Sequence, residues 1–419
     1  MDQGILINIL LYADDIVLMA KTEEDLQELL KVVECWCVRW RLEVNLTKTN
    51  ILHVRPSRKR QSNYMFLFNR NLVPYCTEHK YLGCIIHEHL AFKNTVNALS
   101  ESAGRALSSI TTKMIKNGGF PFKVFVTLYE SCVCSISDYG SEVFGYGKMD
   151  SSLKLHVRAA RAFLGVSKFS TISGIISEFN TLLPQFRCQL KMIRYYHRLL
   201  NLSSKVTARI VFTWDRTLNS NQSIKSWGSE VKSIFSENDL SEIFESGTVF
   251  NLREVIERSS KTMLLNQQRK LQIECLNSPK LRTFVKFKDF YSTPYYLLKP
   301  LPFNQRKALA KLRLGCLALR VETGRYTRPV TALESRTCQV CDNFNNNIED
   351  EFHFLFQCNK LSDLRKPWLE SMGLSADNLA APPEQLFSKV FNDSNNIKAT
   401  AQYINDAFDL RTRILNGMV

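Results

Sequence analysis

Two apolar stretches, Ile5 to Leu11 and Ile16 to Ala20, flank the tetrad Tyr12-Ala13-Asp14-Asp15 near the start of the chain. Apolar runs of that length around a short polar step suit the two arms of a β-hairpin, which places adjacent carboxylates at its tip. Neighbouring anions repel each other in a folded protein, so such a tip needs a compensating cation or full solvation. A divalent metal is one reading of the pair. An ordinary polar turn is the other, because Asp hydrogen-bonds its own backbone well in turns.

The residues beyond the hairpin continue in an α+β pattern. Thr22 followed three residues later by Asp25 resembles an N-cap box, and Leu26, Leu29, Leu30, Val33, Cys37 and Trp40 recur at helical spacing, which predicts a helix over about 23–40. Leu42, Val44 and Leu46, then Ile51, Leu52 and Val54, predict two strands around a turn at Asn45 to Asn50. Tyr64 to Phe68 and Lys80 to Ile86 supply two further β-prone runs, joined through Asn69, Asn71 and Pro74. After about residue 90 the period lengthens. Val96, Leu99, Ala103, Leu107, Ile110 and Met114 predict a helix ending before Gly118-Gly119, and further helical runs follow through Leu200. Residues 201–260 are rich in Ser and Asn and carry the least signal.

At 419 residues and 45% hydrophobic, the chain is long enough for a sizeable core and several domains. Its formal charge of +15 favours a polyanionic partner and predicts salt-sensitive binding. No apolar run reaches the ~18 residues needed to span a bilayer, and no basic region precedes Ile5 to Leu11 as in a signal peptide. The expected location is intracellular, with the nucleus favoured over the cytoplasm by the basic run Arg55-Pro-Ser-Arg-Lys-Arg60. Twelve cysteines spread over the whole length read as reduced thiols or metal ligands rather than a disulfide framework. Between 280 and 328, basic residues from Lys280 to Arg328, among them Arg313 and Arg320, alternate with Tyr291, Tyr295 and Tyr296. That mixture reads either as cations for phosphates with rings for bases or as a solvated helix face over core tyrosines.

Cys338, Cys341, His353 and Cys358 have the spacing C-x2-C-x11-H-x4-C, which suits one tetrahedral structural Zn2+; the other reading is a set of unliganded core thiols. Phe352, Phe354, Leu355 and Phe356 would pack such a module, with Glu349 to Glu351 at its rim. Cys76, His79, Cys84, His87 and His89 form a second group of metal-capable side chains, but Cys84 lies on a β-prone run and the group reads as strand residues.

Tyr12-Ala13-Asp14-Asp15 with its flanks resembles the catalytic motif of reverse transcriptases, and some 180 residues resemble non-LTR (LINE-type) retrotransposon polymerases in motif order. The resemblance implies two-metal nucleotidyl transfer with two Mg2+ ions, Asp14 as a ligand, Asp15 as its support, and Tyr12 and Ala13 beside the primer end. Asn45-Leu-Thr-Lys48-Thr49 resembles the next motif, implying that Lys48 approaches the triphosphate. Lys80-Tyr81-Leu82-Gly83 resembles the primer grip, which makes Tyr81, Leu82 and Gly83 nucleic-acid contacts. Asp138-Tyr139-Gly140-Ser141-Glu142 and Glu178-Phe179 through Pro184 resemble thumb and connection stretches. Leu312-Arg-Leu-Gly315 ahead of the Cys/His module, and Arg365 after it, resemble the surroundings of a LINE-type zinc knuckle, which implies nucleic-acid contacts for Arg313 and Arg320.

The family also uses an aspartate on an upstream strand, together with fingers, and here Met1 lies 13 residues before Asp14. The resemblance therefore implies a C-terminal fragment, inactive alone, of an RNA-directed DNA polymerase whose partners are an RNA template and a DNA primer or target. Upstream polymerase and endonuclease parts would come from a longer chain. The expected architecture is a partial palm (1–90) of antiparallel sheet plus helix, a helical thumb (91–200), a helical basic connector (201–330), a CCHC knuckle (331–360) and a helical tail (361–419). The rival reading is a non-catalytic RNA- or DNA-binding protein that uses the basic connector and the knuckle.

Overall fold

The computed structural model describes residues 7–221, 226–341, 347–375 and 381–418, with the side chains of 218–221 left undescribed. The chain opens with a hairpin of β1 (Ile9–Tyr12) and β2 (Asp15–Leu18) in antiparallel register, Tyr12 opposite Asp15. A two-residue turn, Ala13-Asp14, joins them. Helix α1 (Glu23–Trp40) begins at Thr22, whose side-chain oxygen accepts from the Asp25 amide at 3.1 Å, so the capping signal in the sequence is realised. Three acidic residues in its first turn complement the helix dipole.

The strand expected over 42–46 does not form. Arg41 closes α1 in the left-handed region, and Asn45 instead organises a turn: its side-chain oxygen accepts from the Thr47 amide at 3.1 Å and the Thr47 hydroxyl at 2.7 Å. These local bonds satisfy backbone that a strand ladder would otherwise need. The remaining strands are β3 (Ile51–Leu52), β4 (Leu67–Phe68), β5 (Asn71–Leu72), β6 (Tyr75–Cys76), β7 (Glu78–Tyr81) and β8 (Cys84–His87). They do not join into one antiparallel palm sheet. The strands form four separate two-stranded pairs, and β3 with β6 is parallel. Each hairpin closes on itself through a tight turn with positive φ, at Asn69-Arg70 between β4 and β5 and at Leu82-Gly83 between β7 and β8. The β-prone run Lys80 to Ile86 is thus the turn of a hairpin with its inner arms.

The helices follow the apolar periodicity closely. They comprise α2 (Lys93–Lys116), α3 (Phe122–Leu128), α4 (Asp150–Leu164), α5 (Ile172–Phe179), α6 (Pro184–Asn201), α7 (Thr207–Asn221), α8 (Trp227–Glu237) and α9 (Leu252–Leu276). Gly165 ends α4 in the left-handed conformation, and Pro184 opens α6 at a position where its missing N–H is not needed. After α3 the coil widens into a π-helical turn over Tyr129–Cys134. Toward the C-terminus come α10 (Phe303–Arg313), α11 (Ser362–Ser371), α12 (Pro383–Asn392) and α13 (Ile397–Leu415).

Three apolar cores matter most. A small one holds Leu30, Cys37, Phe66, Phe68 and Val73 beneath α1. A second, around Tyr196, Phe235 and Val255, ties α6 to α8 and α9. The largest is continuous from Ala103 and Phe163 through Leu309 to Leu355, Cys358, Trp368 and Ile404. The Cys/His module and the tail therefore share their core with the helices over 93–179. No helix among the described residues is long and apolar enough to cross a membrane.

Candidate active-site hairpin and metal centre

The Ala13-Asp14 turn is tight because β1 and β2 pair right up to Tyr12 and Asp15. Ala13 takes φ 52°, a left-handed conformation that costs a residue with a Cβ about 1–2 kcal/mol. Tyr12, Ala13, Asp14 and Asp15 are all exposed, and neither carboxylate forms an ion pair or hydrogen bond with another described residue. The pair is thus displayed outward, and no cation among the described residues pairs with it. Among the described residues, no third metal-capable side chain joins Asp14 and Asp15 in a cluster. Two carboxylates alone leave hard divalent cations short of oxygen ligands.

Lys48 lies exposed on the turn after Asn45, its amide donating to the Asn45 carbonyl at 3.1 Å, and makes no ion pair with the Asp pair. Tyr81, Leu82 and Gly83 form the tip of the β7–β8 hairpin, with Leu82 at φ 46° and Gly83 at φ 85°. That tip is fastened to the helices. Tyr139 donates its phenol proton to the Leu82 carbonyl at 3.1 Å, and a Cβ on Gly83 would come within 3.1 Å of the Tyr139 ring. Gly140, at φ 69°, lets Cys84 approach to where a Cβ would stand 3.0 Å from its sulfur. Next to them, buried Asp138 is gripped by Arg187 through Nε at 2.8 Å and a second nitrogen at 3.2 Å. The Asp138-Tyr139-Gly140 stretch is therefore the joint between hairpin and helices.

The basic segment over 280–328 departs from its expected role. Arg313, expected to contact nucleic acid, is 1% exposed and lies inside the core, its guanidinium donating to Glu178 at 2.5 and 3.2 Å. Burial pushes the Glu178 carboxyl up, but the charges of Arg313 and Lys288 outweigh it and hold the group below its ordinary range. Arg306 is equally enclosed and donates to the carbonyls of Phe163 and Phe120 at 3.1 and 2.9 Å. Lys280, Arg282, Lys286 and Arg325 are paired with Glu322, Glu351, Glu384 and Glu322 respectively. Tyr296 is buried too. Five of the twelve cations in this segment are paired with carboxylates, and Lys288 and Arg306 are bound to backbone carbonyls. Arg320 is half-buried, its amide donating to Glu349 at 2.8 Å and its carbonyl accepting from the Gly324 amide at 2.9 Å.

Cys338, Cys341, His353 and Cys358 converge so that their ligand atoms all lie within 4.8 Å of one another. A short bridge, Thr337 with Ile348, folds the first pair of thiols over the turn that carries His353. Cys341 Sγ and His353 Nε2 are 3.5 Å apart, while buried His353 Nδ1 has no partner. A hydrogen bond from the thiol to Cys358, with burial, pushes Cys338 up to about 12, and the same bond draws Cys358 down. Three thiols and one imidazole around a common point, with one imidazole nitrogen orphaned, fit tetrahedral Zn2+ with no open position for a catalytic water.

The shell around this cluster was misplaced by sequence reasoning. Glu349 and Glu351 are not at a rim but buried, at 1% and 3% exposure. Glu349 accepts from Arg411 at 2.6 and 2.7 Å and from the Arg320 amide at 2.8 Å, and Glu351 accepts from Arg282 and Thr283. Arg365 donates to the Leu355 carbonyl at 2.9 Å and bonds the Cys358 carbonyl as well. Arg282 and Arg411 thus neutralise the buried acids, and Arg365 of α11 braces the module through its carbonyls. The second Cys/His group is locally engaged: His87 Nδ1 accepts from the His89 amide at 3.1 Å, and His89 Nδ1 contacts the Arg55 carbonyl at 2.8 Å.

Residues 1–86 match the family model described as reverse transcriptase (RNA-dependent DNA polymerase). The chain is also similar to the RNA-directed DNA polymerase from mobile element jockey of Drosophila funebris, 24% identical over 168 residues. That similarity covers 37% of this chain and 18% of the relative. The chain therefore aligns with under a fifth of the curated relative's length. No solved structure matches it.

Proposed function

We propose that residues 1–86 supply the hairpin half of a reverse-transcriptase active site from a non-LTR retrotransposon, acting on an RNA template and a DNA primer. The observation that carries this reading is the Asp14-Asp15 pair, held on a tight, exposed hairpin tip with no ion-pair partner among the described residues, inside the region that matches the reverse transcriptase model. In this reading Asp14 binds a divalent ion, Asp15 fixes its position, and Tyr12 and Ala13 border the primer end. Bound Mg2+ would activate the 3′-hydroxyl and steady the pyrophosphate. Lys48 would donate a proton to the departing pyrophosphate, and the Tyr81-Leu82-Gly83 tip, backed by Tyr139, would hold the primer strand. The described residues supply two of the carboxylates such chemistry needs, so a third has to come from outside them.

The Cys338, Cys341, His353 and Cys358 cluster would hold one structural Zn2+ in a module braced by Arg282, Arg365 and Arg411, from which template or target nucleic acid is gripped. A second reading is a non-catalytic nucleic-acid-binding protein: among the described residues no third carboxylate stands beside the Asp pair. Primer extension separates the two. The 419-residue chain alone should not extend oligo(dT) on poly(A) in Mg2+. The same chain fused behind a fingers-and-palm segment bearing the third aspartate should extend it, and D14N/D15N should abolish that extension. Extension unchanged by the double variant removes the catalytic assignment.

A further inference from the structure

Helix α9 exposes a groove that is independent of the hairpin and the Cys/His cluster. Leu252, Ile256 and Leu264 fall at multiples of four residues along one row of α9 and form its floor. The neighbouring row carries Arg253, Glu257 and Lys261 at the same spacing, and Arg194 of α6 also faces the groove. The space is about 820 Å³, open to solvent, and its lining is mainly apolar. From Leu252 to Leu264 the floor runs ~18 Å along the helix axis, about three turns.

The state of the cations sets this groove apart from the basic segment over 280–328. There, most basic side chains are bound to a carboxylate or a carbonyl. Here Arg194, Arg253 and Lys261 are exposed and form no ion pair or hydrogen bond with any described residue, and the same is true of Glu257. Three free cations and one free acid around an aliphatic floor describe a complementary occupant. A nucleic-acid backbone would use the cations but gains nothing from leucine and isoleucine beneath it, and no aromatic ring lines the groove for a base to stack on. A helix with apolar residues at i, i+4 and i+7 or i+8 and acidic residues flanking them would satisfy both features.

We propose that the α6–α9 groove is a docking site for an acidic amphipathic helix of a partner protein. Its apolar edge lies on Leu252, Ile256 and Leu264, its carboxylates meet Arg194, Arg253 and Lys261, and a basic residue faces Glu257.

The test uses the full chain and fluorescein-labelled 18-residue peptides followed by anisotropy in about 50 mM salt, where Debye screening is weak. One peptide carries leucines at helical spacing flanked by glutamates; a control has the same composition with the leucine spacing broken. The ordered peptide should bind saturably and at least tenfold tighter than the control. R194E/R253E should weaken it at least tenfold, and a peptide with lysines in place of the glutamates should recover binding to that variant. Both substituted side chains are exposed and unpaired, so the variant should keep the parent circular dichroism and melting curve. Equal binding of ordered and broken peptides, or no binding of either, overturns the proposal. So does a 20-nucleotide oligonucleotide whose retention drops with R194E/R253E while the peptide is indifferent, which would make the groove a nucleic-acid surface. None of these readouts involves polymerisation, so failure here is distinguishable from failure of the reverse-transcriptase reading.

Discussion

Arg313 and Glu178 form an ion pair wholly inside the protein, joining α10 to α5 across 135 positions of sequence at 2.5 Å, with the guanidinium also lying over the rings of Phe287 and Tyr296 at 4.7 and 5.2 Å. Removing one member leaves the other charge enclosed and unpaired, the costly case for buried pairs. Glu178→Gln should therefore lower unfolding free energy by about 3–5 kcal/mol in urea titrations. Replacing both residues with Met should cost clearly less than the single change, and an equal loss would show that the charge is not the reason.

The Cys338, Cys341, His353 and Cys358 centre should contain close to one zinc per chain when the protein is purified without chelator, and Cys341→Ser should lose it. Ligand atoms within 4.8 Å of one another sit beside a core shared with α13. Stripping the metal should therefore raise amide exchange over Ile397–Leu415, through the Tyr403 phenol that donates to the Leu355 carbonyl at 2.9 Å. Undetectable zinc in unchelated protein would leave these residues as plain core thiols.

At the hairpin tip, D14N/D15N should change stability by no more than about 0.5 kcal/mol, because both carboxylates are exposed and have no partner among the described residues. Ala13→Gly should raise it by roughly 0.5–1 kcal/mol by relieving the left-handed Ala. Thermal melts of the three proteins check both; a large loss in D14N/D15N would mean that the pair has a structural role.

Gly83→Ala should destabilise by about 1–2 kcal/mol, combining positive φ with crowding against Tyr139. Tyr139→Phe should cost about 1 kcal/mol by removing the bond to Leu82. In the double variant the two losses should add to less than their sum, since both act on one contact. Strict additivity would show that the tip is not seated on this ring.

His156 gives a pH dependence with a definite sign. Burial, with a contribution from Arg187, draws it down to about 3, and its Nδ1 meets the Tyr129 hydroxyl at 3.1 Å. The unfolded chain binds a proton near pH 6.5 that the folded one refuses until about pH 3. Stability is thus complete above about 6.5 and is lost as pH falls through that window, at up to ~1.4 kcal/mol per unit. H156F/Y129F should flatten the acid limb of a stability–pH curve between 6 and 4. An unchanged slope would assign that limb to other groups.

The sequence made the local elements legible where local chemistry decides them. Thr22 and Asp25 marked the start of α1, the apolar steps of three and four gave α2, α4 and α6, and the Cys/His spacing located the cluster that the fold assembles. It was misleading where a charge finds its partner only through tertiary contact. Arg313, Glu349 and Glu351 looked like surface residues because their counter-charges lie more than 60 positions away. The strand at 42–46 failed for a local reason, since Asn45 can bond its own turn. The α9 groove went unnoticed because the region over 201–260 has low apolar contrast; its signal is the Arg253, Glu257, Lys261 row at a spacing of four.

Arg411 lies 62 positions after Glu349 and neutralises it from α13. During synthesis the Cys/His module is translated whole, with its four donors in place, long before that arginine leaves the ribosome. Until then Glu349 has no guanidinium to enter the core with. The module can seat fully only once Arg411 is available, so a stop within α13 ahead of that residue should release a product in which an otherwise intact cluster stands on an unneutralised acid.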